Sequence, residues 1–488
     1  MKRFITATLL ALCVSLGALA ADGHKYVVLQ SSDDVAQKVA ASGNSSIFII
    51  RNSFNLKGKK VNLPDNAVVR FEGGELHNGT LVGKNTSIDA GEYQIFGNDL
   101  KLEGKFVLDE FPAIWYGAIP NSQSVDLGRV LDTILRNLTA IYPRTEWSTG
   151  HGYGGITITL PTGTFYDSTG IDLVNYSFTD LTIRGAGKSA TTIINRIPSN
   201  EYMIKNSTSK APWGLDVSDI SFINGSIFSL ITPYDVHIHN CKFLGNNYAI
   251  LVYLTVNTRI DNCLFVGNTN AITVSGNAGL GPSTTFFVED CWMQHCTKGI
   301  QGISNTNGFT IYARNTIVEY CSESVHVGNS SGNDAFASFD NCYFEGNTSG
   351  EIYNVTTVFE NCFVDSTDGG FKFLKAAGSR FKWTGNYAPK IVRQQNAGID
   401  IELDNGYVED FVGRHHVVMA SSIPTARIEG KYARIRFTAD NGMYEGMIVQ
   451  NGGRFVESQK ICGNLAMTSK NGTISFAGGS NPKIEIWY

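Results

Sequence analysis

The sequence contains few prolines and few charged residues, and it has no long apolar segment after its first twenty residues. Only 12 of the 488 residues are proline, and Asp, Glu, Lys and Arg together make up 17%. A formal net charge of −5 argues against a nucleic-acid-binding protein, which would carry a basic surface. The lack of another apolar stretch of about 20 residues argues against a transmembrane helix. Apolar residues still reach 42%, so the chain is expected to fold.

The first residues have the pattern of a secretory signal peptide. Lys2 and Arg3 form a charged start, residues 4–16 form an apolar stretch, and an Ala-Leu-Ala cleavage site ends at Ala20. We therefore predict that residues 1–21 are a signal peptide cleaved near Ala20. The mature protein is then expected to be secreted or periplasmic.

The chain after residue 217 contains a repeat of 20 to 28 residues. The central residues of six aligned segments are Cys241, Cys263, Cys291, Thr316, Cys342 and Cys362. Around them, small or apolar residues alternate with polar ones, which is the period of a β-strand. A Gly-Asn turn follows in three repeats, at Gly245, Gly267 and Gly346. Units of this length with only strand patterns predict an all-β, right-handed parallel β-helix with about three short strands per coil.

The repeat also predicts the state of the cysteines. Eight of the nine remain after the leader is removed, and an even number in an exported chain is compatible with disulfide bonds. However, side chains stacked in parallel on neighbouring rungs do not point at each other as a disulfide requires. We expect the cysteines of the repeat to be free and buried as small hydrophobic residues.

An earlier segment changes period and carries recognisable motifs. Apolar residues between 125 and 138 follow one helical face, with Ser124 as the expected N-cap, and such a helix would cover the open end of the β-stack. Gly117-Ala118 precedes it, and Leu160-Pro-Thr-Gly-Thr-Phe and Ile183-Arg-Gly-Ala-Gly follow it. This order resembles the pectate-lyase-like parallel β-helix superfamily, in the branch shared with phage tailspikes and secreted glycan-degrading enzymes. The resemblance implies the fold, but the superfamily includes lyases, hydrolases, epimerases and noncatalytic fibres.

The pattern predicts four segments. After the signal peptide of residues 1–21, residues 22–112 form an irregular leading portion of the β-helix and residues 113–385 form its pectate-lyase-like body. Asn-Gly turns between shorter strands then indicate a small β-domain at 386–488, expected to cap the C-terminal end of the β-helix.

Candidate functional residues lie where the repeat departs from its own Gly-Asn turn. His295-Cys296 and Tyr320-Cys321 replace Gly-Asn in two consecutive coils. The residues around these turns include an imidazole, a phenol, an ammonium and carboxylates, the groups that acid–base catalysis uses. The predicted catalytic residues are His295, Lys298, Glu319, Tyr320, Glu323 and His326. The predicted substrate contacts are Glu289, Trp292, Arg314 and Glu345.

The two turn substitutions favour a polysaccharide lyase that cleaves a uronate-containing polymer, pectin-like or glycosaminoglycan-like, by β-elimination. Such an enzyme needs a base and a cation that neutralises the uronate carboxylate. The candidate bases are Tyr320, His295 and His326, and the candidate cations are Lys298 and Arg314.

Two alternatives remain open. A glycoside hydrolase needs two carboxylates, and Glu319 and Glu345 occupy equivalent positions one rung apart. A noncatalytic glycan-binding or fibre protein needs neither. The sequence has no cofactor motif and no predicted metal ligands; calcium would be compatible with the fold, but no pattern indicates it. The expected partner is a polysaccharide, and the sequence specifies no oligomeric state.

Overall fold

A computed structural model describes most of the chain from residue 25 onwards. The described residues are 25–141, 156–176, 179–207, 213–276, 281–304, 307–330, 335–365, 367–373, 379–384, 391–393, 399–404, 415–419, 425–428, 431–451, 454–477, 479 and 482–488. The predicted signal peptide lies outside them. None of their helices is long and apolar enough to cross a membrane. The chain divides into two compact units, one of residues up to 196 with 215–220 and one of 197–214 with 221–488.

The first unit consists mainly of short parallel strands. They span Lys25–Leu29, Ser46–Ile50, Ser53–Asn55, Lys60–Asn62, Val68–Phe71, Glu75–His77, Gly79–Asp89, Leu100–Val107, Glu110–Pro112, Ile156–Thr159, Gly163–Asp167, Ile171–Asp172, Thr179–Arg184, Thr191–Asn195 and the part of Trp213–Ser218 after residue 214. Its helical segments are Val35–Ala40, Ala113–Tyr116, Leu127–Ile141 and Leu173–Asn175. The strands that precede the long helix in the sequence and those that follow it both pair in parallel, as the resemblance implies.

The long helix Leu127–Ile141 protects a strand edge, in agreement with the prediction. Its apolar face is buried, and it packs against strand Leu100–Val107. Asn137 in this helix accepts a hydrogen bond of 2.6 Å from the backbone N–H of Leu102. The helix begins later than expected, however: Asp126 precedes it and accepts from the N–H of Gly128, so Ser124 is not the N-cap.

The second unit stacks coils of three strands, so its parallel strands form three sheets. Sheet A contains Tyr234–His239, Val256–Asp261, Ser283–Glu289, Phe309–Arg314, Phe336–Asp340, Thr356–Glu360, Ser379–Thr384 and Ile399–Asp404. Sheet B contains Ser221–Ile223, Lys242–Leu244, Leu264–Val266, Trp292–Gln294, Ile317–Glu319, Tyr343–Glu345 and Phe363–Val364. Sheet C contains Tyr202–Asn206, Ser226–Ile231, Tyr248–Tyr253, Asn270–Gly276, Lys298–Ser304, Glu323–Asn329, Ser349–Tyr353, Phe371–Phe373 and Ile391–Arg393. The predicted parallel β-helix is confirmed.

The repeated cysteines form one inward column, as predicted. Cys241, Cys263, Cys291, Cys342 and Cys362 are all buried and free. Each thiol donates to a backbone carbonyl two residues earlier, for example Cys263 to Asp261 at 3.2 Å. Asparagines at the following turn are also buried, and Asn268 Oδ1 accepts from the N–H of Asn246 on the preceding rung at 2.9 Å. Hydrogen bonds between neighbouring rungs therefore satisfy backbone groups at the turn that borders the core of each coil.

Antiparallel strands follow the last parallel coil. Parallel pairing continues through Ile399–Asp404, beyond the predicted domain boundary at residue 386, and strand His415–Met419 then pairs antiparallel with it. The further strands are Thr425–Arg427, Tyr432–Ala439, Gly442–Asn451, Arg454–Gly463, Met467–Lys470, Thr473–Phe476 and Lys483–Trp487. They enclose their own apolar core, in which Phe437 stacks on Phe476. The final parallel edge is thus occupied by an antiparallel strand.

Candidate functional site

The turn between sheets B and C requires a left-handed backbone at one position in each coil. We call these positions the turn column; they are Gly245, Gly267, His295, Tyr320 and Gly346, with φ between 52° and 65°. Glycine adopts this conformation freely, whereas a residue with a side chain loses roughly 1–2 kcal/mol. His295 and Tyr320 therefore occupy positions that backbone stability alone would assign to glycine. Conformational cost of this kind is often associated with function.

The two turn substitutions place their rings in contact on the outside of the coil. The His295 and Tyr320 rings stack with centroids 5.4 Å apart and planes inclined by 24°. Tyr320 is 47% exposed, and its ring lies over Gly346, where an added Cβ would come within 2.7 Å of the ring carbons. The glycine on the next rung thus leaves the space that the Tyr320 ring fills.

Two phenols hold the carboxylate of Glu345. Tyr320 donates to Oε1 at 2.9 Å, and Tyr343 donates to Oε2 at 2.8 Å. The hydrogen bond to Glu345 raises the pKa of the Tyr320 phenol, and it raises the pKa of Tyr343 to about 12. Both phenols act as donors to Glu345, and the raised pKa values further disfavour their phenolate forms.

A second carboxylate occupies the preceding rung. Glu319 pairs in register with Glu345, and its Oε1 accepts from Trp292 Nε1 at 3.0 Å and from Gln294 Nε2 at 2.9 Å. Among the described residues, neither glutamate forms an ion pair with lysine or arginine. We refer to Glu319 and Glu345 as the glutamate pair.

A row of aromatic and apolar side chains, three exposed and one half-buried, runs beside the glutamate pair on sheet B. Trp292, Ile317, Tyr343 and Phe363 occupy equivalent positions on four successive rungs. Trp292 is 44% exposed and Phe363 is 40% exposed, and the Tyr343 and Phe363 rings stack at 5.3 Å. Flat aromatic faces beside polar groups are suited to contact the apolar faces of sugar rings.

Lys298, Glu323 and His326, three other predicted catalytic residues, lie on sheet C. Lys298 pairs in register with Glu323, and their charged atoms are 3.6 Å apart. Glu323 also lies 2.7 Å from Nδ1 of His326. The turn column separates this group from the glutamate pair, because the chain changes sheet there.

Glu289 and Arg314, two predicted substrate contacts, belong to sheet A. They pair with each other in register, but each also forms an ion pair with another residue. Glu289 lies 3.2 Å from Arg259, and Arg314 lies 3.5 Å from Asp340. The structure thus brings one group of predicted residues together on sheet B and the turn that follows it: Trp292, His295, Glu319, Tyr320 and Glu345. The other predicted residues lie on sheets A and C.

Sequence reasoning missed three residues at these sites. Tyr343 follows Cys342, in the outward position that Trp292 has one residue after Cys291. Asp365 follows Val364 on the next rung, and its charge contributes to the raised pKa of both phenols. The outward alternation of strands was a usable signal for these two. The sequence contains no such signal for Glu351, because an irregularity in the strand pairing of sheet C shifts the register of Glu351 relative to Glu323.

Comparison with known proteins gives only remote similarities. No protein-family model matches the sequence, and no curated protein matches it significantly. Among solved structures, the glycan biofilm modifying enzyme WceF of Pantoea stewartii is 11% identical with a TM-score of 0.39, over 78% of this chain and 62% of that protein. The tailspike of Acinetobacter phage vB_ApiP_P1 is 12% identical with a TM-score of 0.29, over 78% and 86% of the two chains. The A-module of mannuronan C-5 epimerase AlgE4 of Azotobacter vinelandii is 11% identical with a TM-score of 0.32, over 62% and 96%.

The present chain therefore spans about three fifths of the length of the Pantoea protein. These three proteins are a glycan biofilm modifying enzyme, a tailspike and an epimerase. Similarity at this level assigns no reaction to the chain.

Proposed function

We propose that the protein is an exported glycoside hydrolase that binds a polysaccharide along sheet B. The observation that carries the proposal is the glutamate pair, in which two register-paired carboxylates are each fixed by two donor side chains. Glycoside hydrolysis uses two such carboxylates, one on each side of the scissile bond. Fixing both side chains in advance lowers the cost of orienting them during the reaction.

The spacing of the glutamate pair fits a retaining mechanism. Equivalent residues on neighbouring parallel strands are about 4.8 Å apart, and the carboxylates of retaining enzymes are about 5–5.5 Å apart. Glu345 accepts a hydrogen bond on each oxygen, which stabilises its negative charge and suits the nucleophile. Both donors to Glu319 reach Oε1, so Oε2 is the atom suited to carry the proton of the general acid.

The same geometry is less suitable for the β-elimination expected from the turn substitutions. The hydroxyl of Tyr320, a candidate base, donates to Glu345, which raises the pKa of the phenol and disfavours the phenolate that a base would need. The candidate cations Lys298 and Arg314 lie on sheets C and A and are paired with Glu323 and Asp340. A uronate bound beside the glutamate pair would meet uncompensated negative charge, so we propose a sugar chain that is neutral at the cleaved residue.

Product analysis on a panel of neutral and acidic polysaccharides tests the proposal. A hydrolase generates new reducing ends without the ultraviolet absorbance of unsaturated products. We expect Glu319→Gln and Glu345→Gln each to lower turnover by about 10²–10⁴-fold, the typical contribution of a general acid or base. Glu360→Gln, which changes an exposed carboxylate on sheet A, is the matched control and should retain activity.

Two outcomes would contradict the hydrolase. Ultraviolet-absorbing products would indicate a lyase and redirect attention to His326 or His295 as the base. Binding of a glycan without any cleavage, unaffected by either glutamine substitution, would indicate a noncatalytic glycan-binding protein.

A further inference from the structure

Three potential ligand atoms converge on the outer side of sheet C. Glu323 Oε2 lies 2.7 Å from Nδ1 of His326, and Glu351 Oε2 lies 3.3 Å from the same ring nitrogen. Ligand atoms of all three side chains lie within 4.8 Å of one another. Residues 323 and 326 would face opposite sides of a regular strand. The register irregularity between them accounts for their meeting on one side.

The arrangement brings two carboxylates to a single nitrogen atom. One N–H group donates well to one acceptor only, so a neutral imidazole leaves one of the two carboxylates without a matching donor. In the part of the chain that the structure describes, Lys298 is the lysine that pairs with this group, but its Nζ lies 3.6 Å from Glu323 Oε2, beyond hydrogen-bonding distance. With the imidazole neutral, the single positive charge of Lys298 does not balance two carboxylates, and a cation placed between all three side chains would do so.

The group is partly shielded from solvent. The His326 side chain is 14% exposed, and those of Glu323 and Glu351 are 23% and 22% exposed. The Tyr353 ring meets the imidazole edge to face at 6.3 Å. Shielding raises the cost of leaving the carboxylates unbalanced and limits the side-chain entropy lost when a ligand binds.

We infer that Glu323, His326 and Glu351 form a binding site for one divalent cation of the Zn²⁺ or Mn²⁺ class. One imidazole and two carboxylates are a ligand set that these ions accept, whereas Ca²⁺ and Mg²⁺ prefer oxygen ligands alone. Ligand atoms at about 2.1 Å around a tetrahedral ion are roughly 3.4 Å apart. The separation of His326 Nδ1 from Glu351 Oε2 already matches this value, and Glu323 Oε2 needs to move away from Nδ1 by about 0.7 Å.

Metal titration of the full chain tests the inference. Chelator-treated protein is titrated calorimetrically with Zn²⁺ or Mn²⁺, and with Ca²⁺ and Mg²⁺ for comparison. We expect His326→Gln and Glu351→Gln each to remove one equivalent of Zn²⁺ or Mn²⁺ binding, or to weaken it by more than the roughly 10–100-fold typical of outer-shell changes. Glu360→Gln is the control and should bind as the parent protein does. Circular dichroism verifies folding, and Glu351→Gln provides the test if His326→Gln fails to fold.

A further variant separates the metal site from a network of ion pairs. Lys298→Met removes the cation that competes for Glu323, so metal binding should tighten. If the group is only an ion-pair network, Lys298→Met lowers the melting temperature and creates no tighter binding. The inference is overturned if the parent protein binds no equivalent that His326→Gln removes. Because the readout is metal binding, this result is independent of whether the glutamate pair hydrolyses a glycan.

Discussion

The hydroxyl of Tyr320 donates a 2.9 Å hydrogen bond to Glu345 Oε1, although the backbone of Tyr320 has the left-handed φ of 52° that glycine would adopt without cost. Two substitutions separate these features. Tyr320→Phe keeps the ring and removes the bond, so turnover should fall about 10- to 100-fold, as for a lost hydrogen bond to a charged group of roughly 1.5–3 kcal/mol. Tyr320→Gly removes the ring as well.

For Tyr320→Gly we expect activity to collapse while the free energy of unfolding changes by no more than about 1 kcal/mol, because the relief of the backbone offsets the lost contacts. Thermal melts and turnover on the same preparation check both statements. His295→Gly should behave in the same way. Near-normal turnover in these variants would mean that the turn substitutions serve packing alone.

A pair of glycines tests the position of the Tyr320 ring. Gly346 and Gly267 share the left-handed backbone, but an added Cβ meets the Tyr320 ring at Gly346 and nothing within 4 Å at Gly267. The backbone cost of alanine should be similar at both positions, roughly 1–2 kcal/mol, and Gly346→Ala adds the cost of moving the Tyr320 ring. Only Gly346→Ala should also lower turnover, because it displaces the ring. Equal turnover in the two variants would contradict a catalytic role for the ring position.

The fold of the coils could be predicted from the sequence because its signals are local and repeated. Cys241 and Cys263 stand at the same place in successive units, and residues around them alternate with a period of two. That information determines which side chains point inward and which rungs are neighbours. The adjacency of Glu319 and Glu345 follows from it directly.

The composition of the site was less accessible to sequence reasoning. Lys298 follows His295 by only three residues, yet the left-handed turn between them moves the chain from one sheet to the next. Proximity in sequence therefore did not mean a shared surface. The meeting of Glu323 with His326 depends on an irregular register, which no period in the sequence reveals.

The buried carboxyl of Asp167 should make stability depend on pH. Burial raises its pKa from the ordinary value of 3.8 to about 6, although the N–H groups of Gly170 and Thr169 donate to Oδ1. Because the folded-state pKa is the higher one, this stabilising contribution is complete below about pH 4 and is lost as the pH rises through about 6. The change is on the order of 2–3 kcal/mol.

Asp167→Asn should flatten this dependence, because an amide oxygen still accepts both hydrogen bonds without titrating. Melting temperatures between pH 4 and 7 provide the measurement. Asp89→Asn, at a side chain 55% exposed, is the control. An unchanged pH profile in Asp167→Asn would mean that the carboxyl is not protonated in the folded protein near pH 5.

The cysteines offer a direct check of the register. Of the eight from Cys241 to Cys462, seven are buried and only Cys462 is exposed. A thiol reagent should label one of these eight rapidly in the native protein and all eight after denaturation. Cys462→Ser should abolish the rapid phase. Fewer than eight thiols in denatured, unreduced protein would indicate disulfide bonds and contradict the inward column.

Removal of residues 386–488 should cause aggregation. It deletes the last parallel strand of sheet A, Ile399–Asp404, and the antiparallel strand His415–Met419 that covers it. An uncovered edge pairs readily with another chain. Light scattering of the purified variant measures the effect. A monomeric, folded variant that has lost only glycan affinity would identify the segment as a binding module instead.

The spacing of the rungs restricts the distances at which two acidic residues can stand on the surface of sheet B. Glu319, Glu345 and Asp365 succeed one another on consecutive coils, so the distances available between carboxylates come in steps of about 4.8 Å. One step gives about the separation of retaining glycosidases, and two steps give about 9.6 Å, just above the range of about 6.5–9.5 Å for inverting ones. Transferring one acid to the next coil would therefore exchange one stereochemical outcome for the other while the backbone stayed as it is.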